Sequence, residues 1–543
     1  MIEACRQAEV EVPHYCYHPK LSSPGNCRMC LVEMGMPPRL APGQEPELDE
    51  EGHSKIQWIP RPAIACANTV ANGMGIRTGS PMVEECRQGV MEFLLINHPL
   101  DCPICDQAGE CQLQEFSVDH GNGESRFIEQ KVKKPKNVDI GPRIRLDDER
   151  CIMCSRCIRF SQEIAEDDCL GFTDRGSHTV LATHPGKELA NNYSLNTVDI
   201  CPVGALTSND FRFQMRVWFL KETKTIDVNC GTGANITVWS RENEVHRITP
   251  RQNDKVNSCW LPDSHRLNFH YLNSEARLTN PMIHHEKGHQ VASWEKAHQL
   301  TAACLSALDP SQIAIVASAR MTNEELFMVR RLGRELKVDL IDVVPRPQQG
   351  DQFLVSKDGN PNTTGAKLIL GIDEPGSRMN AIQTGIDRGE IKAVLAFNEN
   401  LVKVGFTEES LGKLNFLLST HLLANPTAAL ANVVYPSAGF AEKRGSMVNV
   451  TGRLQRLNQA TQPPAQVLED WEMLRDLIQA ISGANGLYMI EDVFKLMANE
   501  VSEFEGLTFS KIGDGGLELV ETGESIPLLE RERERIANGT IVG

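Results

Sequence analysis

RCIMCSRCIRF, residues 150–160, sets Cys151, Cys154 and Cys157 at C-x2-C-x2-C spacing, and DICPVGAL, residues 199–206, adds Cys201 directly before a proline. Three thiols so spaced, completed by a distant Cys-Pro, form the bacterial ferredoxin pattern for a 4Fe–4S cluster. In two-cluster ferredoxins a further cysteine follows the triplet and serves the other cluster; here that position is Ser161. One cluster is therefore expected, bound by Cys151, Cys154, Cys157 and Cys201, and zinc fits this spacing poorly.

Upstream, HPLDCPICDQAGEC supplies His98, Cys102, Cys105 and Cys111. Taken alone, this spacing suits a Cys3His zinc site as well as a 4Fe–4S cluster. The preceding VEECRQGVMEFLLIN predicts an amphipathic helix ending before His98, with Pro99 and Pro103 preventing its continuation. A third set lies further upstream: Cys16, then Cys27 and Cys30 as C-x2-C, then Cys66. It is similar to plant-type 2Fe–2S ligation, although the first gap is longer, and a zinc ribbon is the alternative. Strand-like LVEM and IQWIP flank this loop. Three such sets in series point to an electron wire, which needs short gaps and a dry matrix rather than an acid, base or nucleophile.

The rest of the composition separates two halves. Of 17 cysteines, all but Cys304 fall by residue 259. The odd total, the C-x2-C repeats and an opening MIEACRQAEV without an export signal disfavour a disulfide framework. A chain of 543 residues exceeds a single core and predicts several domains. The formal net charge of −17 disfavours nucleic-acid binding. No apolar run approaches the ~20 residues that span a bilayer, so membrane work would depend on other subunits.

The second half predicts a doubly wound α/β domain. QIAIVAS reads as a buried strand, and TNEELFMVRRLGREL as a helix with Thr322 as N-cap and Glu325 completing a capping box. DLIDVV, KLILGID and IKAVLAF are expected as further strands. From about residue 484 a short helix and acidic tail are expected, with ERERERI as a solvated helix face or docking arm.

CYHPKLSSPGNCRMCLVEM, NHPLDCPICDQAGECQLQ and RCIMCSRCIRFSQEI with DICPVGALTS together resemble the family of the large iron–sulfur subunit of NADH-quinone oxidoreductase, respiratory complex I. The resemblance implies a 2Fe–2S cluster on Cys16, Cys27, Cys30 and Cys66. It implies 4Fe–4S clusters on His98, Cys102, Cys105 and Cys111, and on Cys151, Cys154, Cys157 and Cys201. Electrons would pass from the first set to the four-cysteine third set, then to the His-ligated second. The implied layout is a β-grasp 2Fe–2S ferredoxin domain at 1–79, a His(Cys)3 4Fe–4S module at 80–120 and a bacterial-ferredoxin-like module at 121–218. A degenerate 4Fe–4S domain at 219–275, a molybdopterin oxidoreductase-like α/β domain at 276–483 and an extension at 484–543 complete it. RLTNPMI and YPSAGFAEKRGSMVNVTGRLQ carry the molybdopterin oxidoreductase likeness.

The implied role is an electron-relay subunit of a proton-translocating NADH:quinone oxidoreductase, with no substrate site of its own and no molybdopterin. Expected partners are a flavin- and NADH-binding subunit, a ferredoxin-like subunit and other peripheral-arm subunits. The expected location is the cytoplasmic side of the bacterial inner membrane, with membrane contact only through the complex.

Two departures stand out. Some family members carry a fourth 4Fe–4S cluster; here its positions read Asp227, Cys230, Ala234 and Pro262, so no fourth cluster is expected and Cys230 and Cys259 should be buried, inert thiols. The hairpin that opens the family's β-grasp domain is also missing, which predicts about 15–20 further residues upstream of Met1. A molybdopterin-dependent oxidoreductase of formate dehydrogenase type is the main alternative. An iron-only hydrogenase would need further downstream cysteines. The electron-entry subunit of an NAD-linked hydrogenase would end far earlier, and a purely structural zinc protein would need all three spacings to mislead.

Overall fold

The computed structural model describes residues 1–39, 47–49, 52, 54–484 and 486–541. Two compact units emerge: Met1–Leu220 with Arg531–Gly543, and Lys221–Glu530.

In the first unit, helix Ile2–Gln7 precedes strand Leu31–Met36, which pairs antiparallel with Gln57–Trp58, Ala63–Ile64 and Gly75–Arg77. LVEM and Gln57–Trp58 of IQWIP thus form strands as expected. Ile2, Val12, Tyr17, Val32 and Ala65 make a small core in which Cys30 is buried and Cys66 packs at the edge. Helix Pro81–Leu95 begins with Ser80 accepting from the Val83 amide and a proline in its first turn, where a missing N–H costs nothing. It stops three residues before His98, as its pattern predicts. A three-stranded antiparallel sheet, Val138–Gly141, Ile144–Leu146 and Leu206–Ser208, brackets helix Arg156–Glu163 in sequence. A one-turn helix, Asn196–Asp199, leads into Cys201.

The second unit opens with an antiparallel meander, Lys221–Ile226, Asn235–Arg241 and Glu244–Pro250. Its centre is a seven-stranded sheet. Strands Ile341–Val344, Ile313–Ser318, Ala393–Phe397, Phe416–His421 and Val433–Pro436 run parallel, and hairpin Met282–His285/Gly288–Val291 adds an antiparallel edge. Side chains alternate between two cores: Ile313, Ile315 and Ala317 enter one, Ala314 and Val316 the other. A sheet buried on both faces is the doubly wound arrangement the sequence predicts.

The capping box forms as expected, with Thr322 Oγ1 accepting from the Glu325 amide and Glu325 accepting from the Thr322 amide at 2.8 Å. KLILGID is a correction: instead of a strand it completes helix Thr363–Leu370, with Gly371 left-handed at φ +65°. Ala366 and Ile369 share the inward face, a three-residue step that the bare apolar run conceals, and glycine ends the helix. Helix Ile490–Glu500 places Val493, Phe494 and Met497 in the same core as Ile313. ERERERI lies in helix Pro527–Ala537. From Arg531 onward it docks on the first unit, through ion pairs of Arg531 with Glu166, Glu532 with Lys20, and Arg535 with Glu163.

Candidate metal centres

The first set converges. The four thiols are free, with Cys27 in hydrogen-bond contact with Cys16, and Cys66 with both Cys30 and Cys16. The Cys16 amide also points at Cys27 Sγ, 3.5 Å away. Cys27 is pushed well above the usual thiol range, first by its bond to Cys16 and then by burial.

His98, Cys102, Cys105 and Cys111 line one cavity of about 70 Å³, together with Arg150 and Gly204. Burial, then the positive charges of Arg150 and Lys131, lower His98 to about 4, so at neutral pH its imidazole is in the metal-binding form. Burial raises Cys105 and Cys111. In the third set Cys154 is buried and Cys151, Cys157 and Cys201 are half-buried. Burial and mutual repulsion with the other sulfurs of the set raise Cys151 and Cys157, and push Cys201 up to about 11. Buried thiols of this kind hold their protons in the bare protein, and a cationic cluster relieves that cost by taking them as thiolates. All twelve side chains thus fit iron–sulfur ligation in donor chemistry. Among the described residues no three of them bring their donor atoms within 4.8 Å of one another, the closeness one tetrahedral ion requires.

The sets are not separate. One core joins fully buried Tyr15, Met29 and Met91 with Phe116, Val203 and Ala205, and it touches Cys27 of the first set, Cys111 of the second, and Cys151 and Cys201 of the third. Tyr15 donates to Met91 Sδ at 3.3 Å, and burial followed by the Cys111 and Cys27 sulfurs raises its hydroxyl above the ordinary range. Helix Arg156–Glu163 ties the first set to the third. Arg156 reaches the carbonyls of Tyr17 (2.6 Å) and Ile200 (3.1 Å), and Arg159 those of Cys16, Ser22 and Cys154. The second set meets the third through the CPVG turn: Cys111 Sγ approaches the Pro202 carbonyl at 3.9 Å. A Cβ at Gly204 would fall 2.2 Å from Cys105 Sγ. Arg216 further clamps the carbonyls of Cys105 and Pro103.

Sequence reasoning named the ligand candidates and missed these bridging residues. The arginines carry no spacing signal, because their partners are backbone carbonyls of distant loops. Gly204 lies in the CPVG turn, and nothing in that motif signals its contact with another set. Of the two expected inert thiols, Cys230 is fully buried and Cys259 partly exposed.

Profiles of known families match in four places. They are "NADH-ubiquinone oxidoreductase-G iron-sulfur binding region" at residues 87–126, "NADH-quinone oxidoreductase subunit 3, ferredoxin-like domain" at 141–207, "NADH-ubiquinone oxidoreductase NDSU1/NuoG-like, 4Fe-4S domain" at 220–270 and "Molybdopterin oxidoreductase" at 358–480. The G subunit of NADH-quinone oxidoreductase from Rickettsia felis is 42% identical over 334 residues, 62% of this chain and 46% of its own. The mitochondrial NADH-ubiquinone oxidoreductase 78 kDa subunit of Neurospora crassa is 41% identical over 339 residues, 62% of this chain and 42% of its own. A solved NAD+-reducing NiFe-hydrogenase aligns at 27% identity and a TM-score of 0.31, over 40% of this chain and 83% of its own. The chain spans about half the length of the curated relatives it matches. The resemblance carried by the cysteine motifs is therefore borne out: over 62% of its length this chain is similar to the G subunit of NADH-quinone oxidoreductase.

Proposed function

We propose that the chain is the iron–sulfur relay subunit of an NADH-quinone oxidoreductase. Cys16, Cys27, Cys30 and Cys66 would hold a 2Fe–2S cluster. His98, Cys102, Cys105 and Cys111 would hold a 4Fe–4S cluster, as would Cys151, Cys154, Cys157 and Cys201. Such clusters supply reversible one-electron exchange when bound.

The observation that carries this reading is the single apolar core touching ligand candidates of all three sets. Tyr15, Met29 and Met91 keep water out of the space between the sets, which lowers the local dielectric and the cost of rearranging solvent around a moving charge. Arg156 and Arg159 fix the first set against the third, and the CPVG turn fixes the third against the second. Adjacency through these bridges supports the order first, third, second.

The finer domain division, 1–79, 80–120, 121–218, 219–275, 276–483 and 484–543, belongs to the same proposal. So does a second unit that keeps a molybdopterin oxidoreductase-like fold without the cofactor. The partners would be a flavin- and NADH-binding subunit, a ferredoxin-like acceptor subunit and other peripheral-arm subunits. The place would be peripheral, on the cytoplasmic face of a bacterial inner membrane, reached through those partners. Among the described residues no helix is long and apolar enough to cross a membrane.

The test is metal and acid-labile sulfide analysis of the full chain purified anaerobically, with electron paramagnetic resonance after dithionite reduction. About ten iron per chain, from 2 + 4 + 4, and no molybdenum support the relay. Molybdenum would turn the 358–480 similarity into an active site, and zinc replacing iron in the three sets would overturn the proposal.

A further inference from the structure

The 220–270 segment matches a profile for a 4Fe–4S domain, yet its donor set does not fit one. It holds only two cysteines, Cys230 and Cys259. What converges instead is a mixed trio. Asp227, Cys230 and His265 are all buried, and one donor atom from each lies within 4.8 Å of the others. Among the described residues this is the one group of three or more such side chains so tightly gathered.

Each donor is held by a different element. Asp227 follows the end of strand Lys221–Ile226, Cys230 sits in the turn after it, and His265 projects from helix Asp263–Arg266. Asn229 holds one carboxylate oxygen, its amide donating to Asp227 Oδ1 at 3.2 Å and its side-chain nitrogen at 2.5 Å. The other oxygen, Oδ2, faces His265 Nδ1 at 2.7 Å. Cys230 Sγ approaches the Leu354 carbonyl at 3.8 Å and is also in hydrogen-bond contact with Thr232 and the Ser356 backbone. The turn cannot relax easily: the Gly231 amide bonds to the Asp358 carbonyl at 2.8 Å, and a Cβ on Gly231 would fall 2.3 Å from Val450.

We infer that Asp227, Cys230 and His265 form a mononuclear zinc site where the matched profile describes a 4Fe–4S cluster. One thiolate, one imidazole and one carboxylate is a sulfur, nitrogen and oxygen set that borderline-soft zinc accepts, whereas calcium and magnesium demand oxygen throughout. Thiolate and carboxylate together carry two negative charges, which a dication cancels inside a buried site. Binding displaces the thiol proton of Cys230 and the proton shared between Asp227 and His265, and a fourth position remains for solvent. The Asn229 contacts are the kind of outer hydrogen bonds that orient a ligating carboxylate. Zinc here would tie the meander to the Asp263–Arg266 helix without any cluster, and the inference is independent of the three-set relay.

The full chain, incubated with Zn2+ and freed of loosely bound metal by gel filtration, is analysed for zinc and iron per chain beside His265→Gln, Cys230→Ser and Cys259→Ser. Zinc K-edge X-ray absorption is recorded on the wild type. The expected result is one zinc with a single sulfur neighbour, at least tenfold weaker in H265Q and C230S, kept in C259S, with iron constant throughout. Absence of retained zinc, zinc that persists undiminished in both trio variants, or about four extra iron lost in C230S would each overturn it. Should either trio variant fail to fold and lose iron as well, the wild-type sulfur count decides: one sulfur sustains the inference, and none or four refutes it.

Discussion

Gly204→Ala tests most directly whether the second and third ligand sets are built into each other. The added Cβ would lie 2.2 Å from Cys105 Sγ and 3.1 Å from Gln107 Cβ, against unstrained separations of about 3.5–4.0 Å. The sulfur must therefore retreat by more than about 1 Å, unless the CPVG turn moves instead. Gly204 is not among the glycines with left-handed φ, so alanine meets a contact problem and no backbone strain. Overpacking of this kind costs about 1–3 kcal/mol. On the proposed ligation, displacing Cys105 would cost the site its cluster as well. The expected result is a fall from about ten to about six iron per chain, with the signal of the His98 site lost and the Cys151 site kept. Gly89→Ala is the control: it lies on helix Pro81–Leu95 with nothing within 4 Å of its Cβ, and should stabilise by roughly 0.5–1 kcal/mol. Unchanged iron and unchanged melting in G204A would refute the interlocking.

Arg159→Ala removes the donor to the Cys16, Ser22 and Cys154 carbonyls, at about 1–3 kcal/mol for each acceptor left buried. Iron should then leave the chain faster under a chelator than it does in the control Arg175→Ala, whose side chain is exposed. Lys443→Met strands Glu325 and Asp470, which lie 2.8 and 3.5 Å from the ammonium in a buried triad, and should lower urea stability by about 3–5 kcal/mol. Glu324 is buried against Ser446, and burial raises its carboxyl from 4.5 to about 7 despite those hydrogen bonds. Between those values the folded chain binds more protons than the unfolded chain, so stability falls as pH rises, by roughly 3 kcal/mol over the window. Glu324→Gln should flatten that slope in urea titrations from pH 4.5 to 7, and an unchanged slope would assign it elsewhere.

Local signals survived the step from sequence to structure. Cysteine spacing gathers the C-x2-C part of each candidate set because a short loop closes on itself, and Thr322 with Glu325 makes its capping box within one helical turn. IAIVAS forms a strand buried throughout because nothing in it resists burial on both faces. KLILGID failed because a few consecutive apolar residues suit a strand and a helix end equally, and only Gly371 marked the stop. Arrangements made across long separations were illegible. His265 reaches Asp227 from another element, and Cys230 taken alone is indistinguishable from a packed thiol. The contact of Gly204 with Cys105 joins two motifs that spacing treats as independent.

The pairing of Lys20 with Glu532 sets a schedule for the molecule's birth. These two buried groups meet 3.1 Å apart, although 512 positions separate them along the chain. A ribosome releases the loop bearing Lys20 first and its counter-ion only after the whole of Lys221–Glu530. Until then the nascent first unit carries an ammonium whose burial lacks compensation, and the neighbouring arginine contacts of Glu163 and Glu166 are also unmade. Completion of the cysteine-rich unit is thereby deferred until the whole of Lys221–Glu530 has been synthesised.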